Sequence, residues 1–421
     1  MFKLILMLTM DVLPATMSVG VKDLCSFTPR TVTLQSPAGM VHGDFSPIFL
    51  RENTHEAFTP SSRHRKTHSL PGNLTVTNIK PMPSKDGAPR FKLSFSDDHV
   101  GNFRVPTPHK KQWASDLRFW PRQLWGDTAP APSDEVAKGS LRFRFDAICG
   151  PEQSPMIRAQ WIEAMHRFGI TIIEGVPEQV DAGRTFAKAA GGMPSLPSVH
   201  SEHGPISLRG ETNATNIAYS TQPLQMHTDN CYMSRPPSIT MVHCLLPATE
   251  GGGGNAFVDG FDAARTLHRQ DPEAFDLLSK TRLRFSDIKP DWQLTAKHAT
   301  LKVDEDADVA DLKGEMPPLK QVVFDSPTRD SFGDWDHDRD VIAVEHALLK
   351  YERLLDNPDR WLHTMLKAGE MVVVDNHRLL HLRKSFHGKR HVVVHYMEWD
   401  ALYGRWRVDS GNHLATPAVH A

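Results

Sequence analysis

The chain has 421 residues, 39% hydrophobic and 23% charged, a balance that excludes a disordered or fibrous polymer and predicts one large and one small globular domain. A formal net charge of −2 gives no general attraction to nucleic acid or to an anionic membrane. The four cysteines, Cys25, Cys149, Cys231 and Cys244, lack the paired spacing of zinc or redox motifs and read as free thiols of a reducing compartment, the cytoplasm.

The chain opens with MFKLILMLTM, one lysine and then about six apolar positions before Asp11. That is at the short limit of a secretory core and well below the ~20 residues that span a bilayer, so it reads as a buried first strand or an early start codon. Residues 59–72, TPSSRHRKTHSLPG, are basic and loop-like. LTVTNIKP and RFKLSFSDDHVGNFRV then alternate at period two, the pattern of half-buried antiparallel strands. Residues 106–134 end in a proline-alanine run that reads as a linker. The expected division is a small β-rich domain over 1–130 and a catalytic domain over 131–421.

In the second part, MIRAQWIEAMHRFG (156–169) has helical spacing and a glycine stop, followed by the strand-like ITIIEGVP. SITMVHCLL, EMVVVD and HVVVHYMEW are β-branched runs of strand length. FDAARTLHRQ, PEAFDLLSKT and VIAVEHALLKYERLLDN read as helices, and the acidic stretch 304–318 as an exposed insertion. Strands decorated with helices, without a regular βαβ alternation, predict a mainly β jelly roll.

The chemistry concentrates in MHTDNCY, where His227 and Asp229 are two residues apart. On an extended segment this spacing puts both side chains on one face. His381, in EMVVVDNHRLLHLRKSF, supplies a second imidazole. Two histidines and a carboxylate leave coordination positions open, the pattern of non-haem iron(II) oxygenases. By itself H-x-D is weak among 23 histidines; the strong strand signals beside each element give it weight. Arg390 opens the next strand, and its planar fork suits the far carboxylate of 2-oxoglutarate. The alternative is a solvated strand-end cation, with Arg383, Lys384 and Lys389 as competitors for the role.

NIAYSTQPLQMHTDNCY, RPPSITMVHCLLPATEGGGGNAFVDGFDAA and VVVDNHRLLHLRKSF resemble the γ-butyrobetaine hydroxylase and trimethyllysine dioxygenase branch of the taurine-dioxygenase superfamily. IFLRENTHEAFTPSSRHR resembles that branch's N-terminal domain. The resemblance implies a double-stranded β-helix (cupin-like) core, Fe(II), 2-oxoglutarate and O2 as cofactors with ascorbate as reductant, and release of succinate and CO2. It implies iron ligation by His227, Asp229 and His381, and contacts of Asn216 and Arg390 with 2-oxoglutarate. The reaction implied is oxidation of an unactivated C–H bond of a small amino acid, amine or carboxylate, by hydroxylation. Desaturation or ring closure through the same intermediate, and a silent binding homologue, are the alternatives. The expected partners are a small-molecule substrate and a second copy of the chain, with no nucleic acid and no membrane.

Three departures from the branch stand out. Its N-terminal domain holds zinc through three cysteines and a histidine; here Thr54, Glu56 and Thr59 stand where thiolates would, and only His99 remains. Zinc of this kind needs thiolate and imidazole donors, so the domain is expected to fold on its apolar core. Tyr219 matches one position of the aromatic cage, but Asn230 follows Asp229 where an aromatic is expected. Arg390 follows His381 by fewer residues than is usual, a shortened loop. With Tyr232, Tyr219 and Asn230 are the expected substrate-pocket residues, and a different substrate follows.

Overall fold

The structure is a computed structural model that describes residues 25–27, 31–35, 41–59, 64–66, 70–83, 90–105, 117–126, 132–191, 206–209, 217–289, 292–304, 315–330 and 341–411. The opening MFKLILMLTM segment, Asn216 and most of the acidic stretch 304–318 lie outside the described residues. The chain forms two compact units, Met1–Gln112 with Leu414–Ala421, and Trp113–His413. Of the residues assigned to the first domain from the proline-alanine run, the described stretch 117–126 falls in the second unit. No helix among the described residues is long and apolar enough to cross a membrane.

In the first unit, Val76–Met82, Arg90–Phe95 and Val100–Arg104 form an antiparallel meander, and Cys25–Phe27, Val32–Gln35 and Val41–Phe45 a second three-stranded sheet. Alternation along Arg90–Phe95 buries Phe91, Leu93 and Phe95 against Leu34, Leu50, Ile79 and Phe103. Where the related domain would hold zinc, the buried Thr54 hydroxyl meets His99 Nε2 at 2.9 Å. Glu56 accepts from the Asn102 backbone at 2.7 Å and from its amide at 2.8 Å. Ordinary hydrogen bonds thus engage Thr54, Glu56 and His99.

The second unit is built on two sheets. The larger runs Arg142–Arg144, Ile170–Glu174, Glu370–Asp375, Ile239–Leu246, His391–Met397, Ile206–Arg209. The smaller runs Leu224–His227, Leu379–Arg383, Asn255–Asp259, Leu362–Thr364. Ile170, Val372, Val374, Cys244 and Val392 of the larger sheet share one buried cluster with Phe257, Leu362 and Leu379 of the smaller. This is the two-sheet β-rich core expected of a jelly roll. EMVVVD is buried at all six positions because it is a central strand with both faces covered.

The other face of the larger sheet is closed by the helix Pro155–Phe168, with Trp161, Ile162 and Met165 packed in one cluster with Ile173, Met241 and Met371. The helix starts on Ser154, whose hydroxyl accepts from Ile157 N. It stops at Gly169, whose φ of 78° lets its N–H reach Met165 O. Trp399–Asp409 packs on it, and the buried Arg158 pairs with Asp409. Asp259, at the end of its strand, caps the next helix through Phe261 N and Asp262 N and forms a fully buried ion pair with Arg378 at 2.7 Å.

Candidate active site

Leu224–His227 and Leu379–Arg383 pair antiparallel, with His227 directly opposite His381. Cross-strand neighbours lie close enough to share a ligand, and the two rings have centroids 4.3 Å apart. Asp229 Oδ1 lies 3.5 Å from His227 Nε2 and 3.6 Å from His381 Nε2. The extended segment assumed for H-x-D ends at His227; Asp229 begins a turn in which Asn230 takes φ 59°. What aims Asp229 is Asn376, whose Oδ1 accepts from Asp229 N at 2.7 Å while its Nδ2 donates to Asp229 O and Pro237 O. Thr240 Oγ1 donates to Asp229 Oδ2 at 2.9 Å, leaving Oδ1 toward the histidines. His227 Nδ1 faces Gln225 O at 2.8 Å, which turns Nε2 inward. Neither Asn376 nor Thr240 carries a sequence signal, since each acts through a contact distant in the chain or across a sheet.

The charges of the site are strongly coupled. Burial alone would raise Asp229 and lower His227. Instead His381, the His227 hydrogen bond and Thr240 hold Asp229 well below the ordinary carboxylate range. The Asp229 hydrogen bond and the Asp325 and Asp229 charges push His227 up to about 9. Burial, with His227 beside it, pushes His381 down to about 4. Two imidazole nitrogens and a carboxylate oxygen, all within 4.8 Å of one another, suit a divalent ion of the iron(II) type and fit it by donor chemistry as well as geometry. Among the described residues this is the one such group of three.

A cavity of about 310 Å³ opens on the triad. Its wall is largely apolar, from Ile206, Leu208, Val242, Val392 and Val394, and includes Tyr219, Asn230, Tyr232, Asn255, Asp325, Tyr396, Arg383 and Arg390. Tyr232 donates to Asn230 Oδ1 at 2.8 Å. Asn230 therefore ties down the hydroxyl of Tyr232, and Tyr396 lines the cavity with them. The sequence reading missed Tyr396, hidden in a strand-like run, and Asp325, which follows a short buried strand.

The two arginines differ. Arg383 donates to three backbone carbonyls, Ala218, Ser220 and Gln222. Arg390, 7% exposed, forms no hydrogen bond to a described residue and stacks at 5.5 Å over Phe386. Burial lowers both guanidinium pKa values, and Arg390 adds to the lowering at Arg383, to about 10. Paired, buried positive charge of this kind asks for an anion. Lys384 and Lys389 do not line the cavity.

A family model, taurine catabolism dioxygenase TauD, TfdA family, matches residues 147–396. Human γ-butyrobetaine dioxygenase is 25% identical over 383 residues, covering 86% of this chain and 90% of that protein. Mitochondrial trimethyllysine dioxygenase of Rattus norvegicus is 31% identical over 381 residues, covering 86% of this chain and 82% of that protein. Among solved structures, a taurine dioxygenase from Burkholderia xenovorans is 15% identical with a TM-score of 0.43, covering 58% of this chain and 82% of that one.

Proposed function

From the premise that this chain belongs to the TauD/TfdA family of dioxygenases, we propose that it oxidises a C–H bond in a small metabolite carrying a protonated amine. The reaction class is that of an iron(II)- and 2-oxoglutarate-dependent dioxygenase. When bound, iron(II) with 2-oxoglutarate and O2 supplies the oxidising chemistry, and succinate and CO2 are released. In this reading His227, Asp229 and His381 are the iron ligands, and Arg390 holds the far carboxylate of 2-oxoglutarate while Arg383 fastens the loop beside it. The apolar wall excludes water, and the protein's task is to hold one C–H bond of the substrate toward the metal. The intact triad favours an active enzyme over a silent homologue.

Asp325 carries the substrate assignment. Its carboxylate accepts from Thr328 Oγ1 at 2.5 Å and forms no ion pair with a described residue. Burial, with Asp229 and Asp287 nearby, raises its pKa. His227 Nδ1 is already engaged by Gln225, so Asp325 is not the group that orients this imidazole. A carboxylate oxygen left over in a mostly apolar wall is completed by a donor from the ligand. An ammonium group supplies both the hydrogen bond and the charge. The resemblance implies an aromatic residue where this chain has Asn230, which supports a different substrate. Cys149, Cys231 and Cys244 are free, which supports a reducing compartment, the cytoplasm.

The test is a panel of small amines, their N-acetyl derivatives and matched carboxylic acids, scored by succinate release. Amines should stimulate turnover and their N-acetyl forms should not. Asp325→Asn should raise KM for the active amine about tenfold or more, the cost of losing one partner of a desolvated charge pair. Stimulation by carboxylic acids alone removes the amine assignment and leaves the reaction class standing. Absence of the visible absorption that 2-oxoglutarate and Fe(II) produce together, under anaerobic conditions, removes the ligand set itself.

A further inference from the structure

A second cavity, about 680 Å³, is lined by residues of the hairpin Arg282–Ile288 and Gln293–Ala299 and of the paired strands Leu301–Val303 and Leu319–Val322. Among the described residues of its lining, five side chains are basic, Lys280, Arg282, Lys297, Lys302 and Lys320, and none is a carboxylate. Of the five, Lys280 alone has a carboxylate partner, Asp276 at 2.6 Å. Arg282 donates to the Lys297 carbonyl, and Lys302 Nζ to Gln321 Oε1 at 3.0 Å. Gln321 is 6% exposed, and its Nε2 has no acceptor among the described residues.

The groups repel one another. Burial pushes Lys302 down to about 8, and Arg282 and Lys320 add to the shift. His298, also in the lining, is pushed to about 4 by burial and then by Lys302 and Arg282. Positive charge gathered in a cleft with a single carboxylate partner among the described residues costs stability, and an anion bound there reduces that cost. Lysines dominate, and their rotatable ammonium groups bind phosphate as point charges without demanding a bidentate plane.

We propose that this cleft is a binding site for a small polyanion bearing phosphate groups, separate from the triad cavity. His298 Nε2 meets Met233 O at 2.8 Å, so the cleft adjoins the segment that also carries His227 and Asp229. The site does not depend on which substrate the triad oxidises.

Pyridoxal 5′-phosphate on the full-length chain is the probe. Its aldehyde condenses with an unprotonated lysine amine, releasing water, and borohydride reduces the imine to a secondary amine that peptide mass spectrometry maps. Lys302 should label about tenfold faster than exposed lysines elsewhere, and inorganic pyrophosphate should suppress the label. Pyridoxal without phosphate should label it about tenfold more slowly, which separates anion binding from a merely reactive amine. The double variant Lys297→Glu, Lys320→Glu changes two side chains that have no hydrogen-bond or ion-pair partner among the described residues and should slow Lys302 labelling to a similar degree; an unchanged urea midpoint certifies its fold. Equal labelling by pyridoxal and its phosphate, or no protection by pyrophosphate, overturns the site. Protection by citrate as strong as by pyrophosphate overturns the phosphate assignment.

Discussion

At the scale of single residues, the two arginines in the cavity wall illustrate how identical charges take different tasks. Arg383 spends its donors on Ala218, Ser220 and Gln222, whereas Arg390 lies free of hydrogen bonds to described residues. Arg390→Ala should therefore raise the 2-oxoglutarate requirement by at least about 30-fold, from the ~2–5 kcal/mol carried by a desolvated charge-assisted contact. Its iron affinity should stay near the parent value, and Arg390→Lys should recover only part of the loss because ammonium lacks the fork. Arg383→Ala should instead lower the unfolding free energy read in urea, by about 2 kcal/mol or more, since three part-buried carbonyls lose this donor. A normal co-substrate titration for Arg390→Ala beside a crippled one for a stably folded Arg383→Ala would exchange the two roles. Mutating the ligands themselves is the blunter check: His227→Ala, Asp229→Ala or His381→Ala should abolish turnover with the fold retained. Near parental activity with full iron loading in any of them would remove that residue from the set.

Elements are positioned by contacts that look incidental in the chain. The run Gly251–Gly254 meets the loop that leads from His381 to Arg390: Gly253 N donates to Ser385 O and His387 N to Gly251 O. Gly252 has φ 82°, and a Cβ there would lie 2.2 Å from Ser385 O and 2.8 Å from Phe386 Cα. Those neighbours are backbone and cannot rotate aside. Gly251 has φ 96° but nothing within 4 Å of a Cβ. Gly252→Ala should thus cost more than Gly251→Ala, which carries only the roughly 1 kcal/mol of left-handed backbone strain. It should also weaken 2-oxoglutarate binding by shifting the Arg390 loop. Equal urea midpoints for the two variants would show that the loop yields freely. The shortened loop read from sequence is accordingly not loose; it is pinned to a glycine run.

Across the whole molecule, pH sensitivity follows from histidines buried neutral. Burial pushes His166, His243, His298 and His395 each to about 4. Their unfolded values stand near 6.5, so between about pH 6.5 and 4 the unfolded chain binds protons that the folded chain refuses. Stability should therefore fall as pH drops through that window, and the loss should level off below about 4. Urea unfolding of the metal-free protein at several pH values measures it. His243 is fully buried and neither ring nitrogen has a partner among the described residues. His243→Leu should flatten the acid slope by about one proton without loss at neutral pH. A midpoint unchanged between pH 7 and 5 would show that these rings are solvated in the folded state, contrary to this account.

Much of this was legible before any coordinates. Pro155–Phe168 announced itself through Ser154, Pro155, helical periodicity and Gly169, because helix signals are local. Glu370–Asp375 and His391–Met397 did so through unbroken β-branched runs. Residue types, with the family likeness, were enough to name His227, Asp229 and His381 as a ligand set, since few side chains suit iron(II). The sequence could not show that Asp229 sits on a turn steered by Asn376, or that Asn230 holds the hydroxyl of Tyr232. Nor could it show that Asp325 faces the cavity, that Arg383 rather than Arg390 is occupied by backbone, or that five basic side chains meet in a second cleft. The physical reason is common to all of them. Donor chemistry and periodicity reside in the chain itself, but direction, desolvation and pairing depend on which distant segments folding brings within a few ångströms.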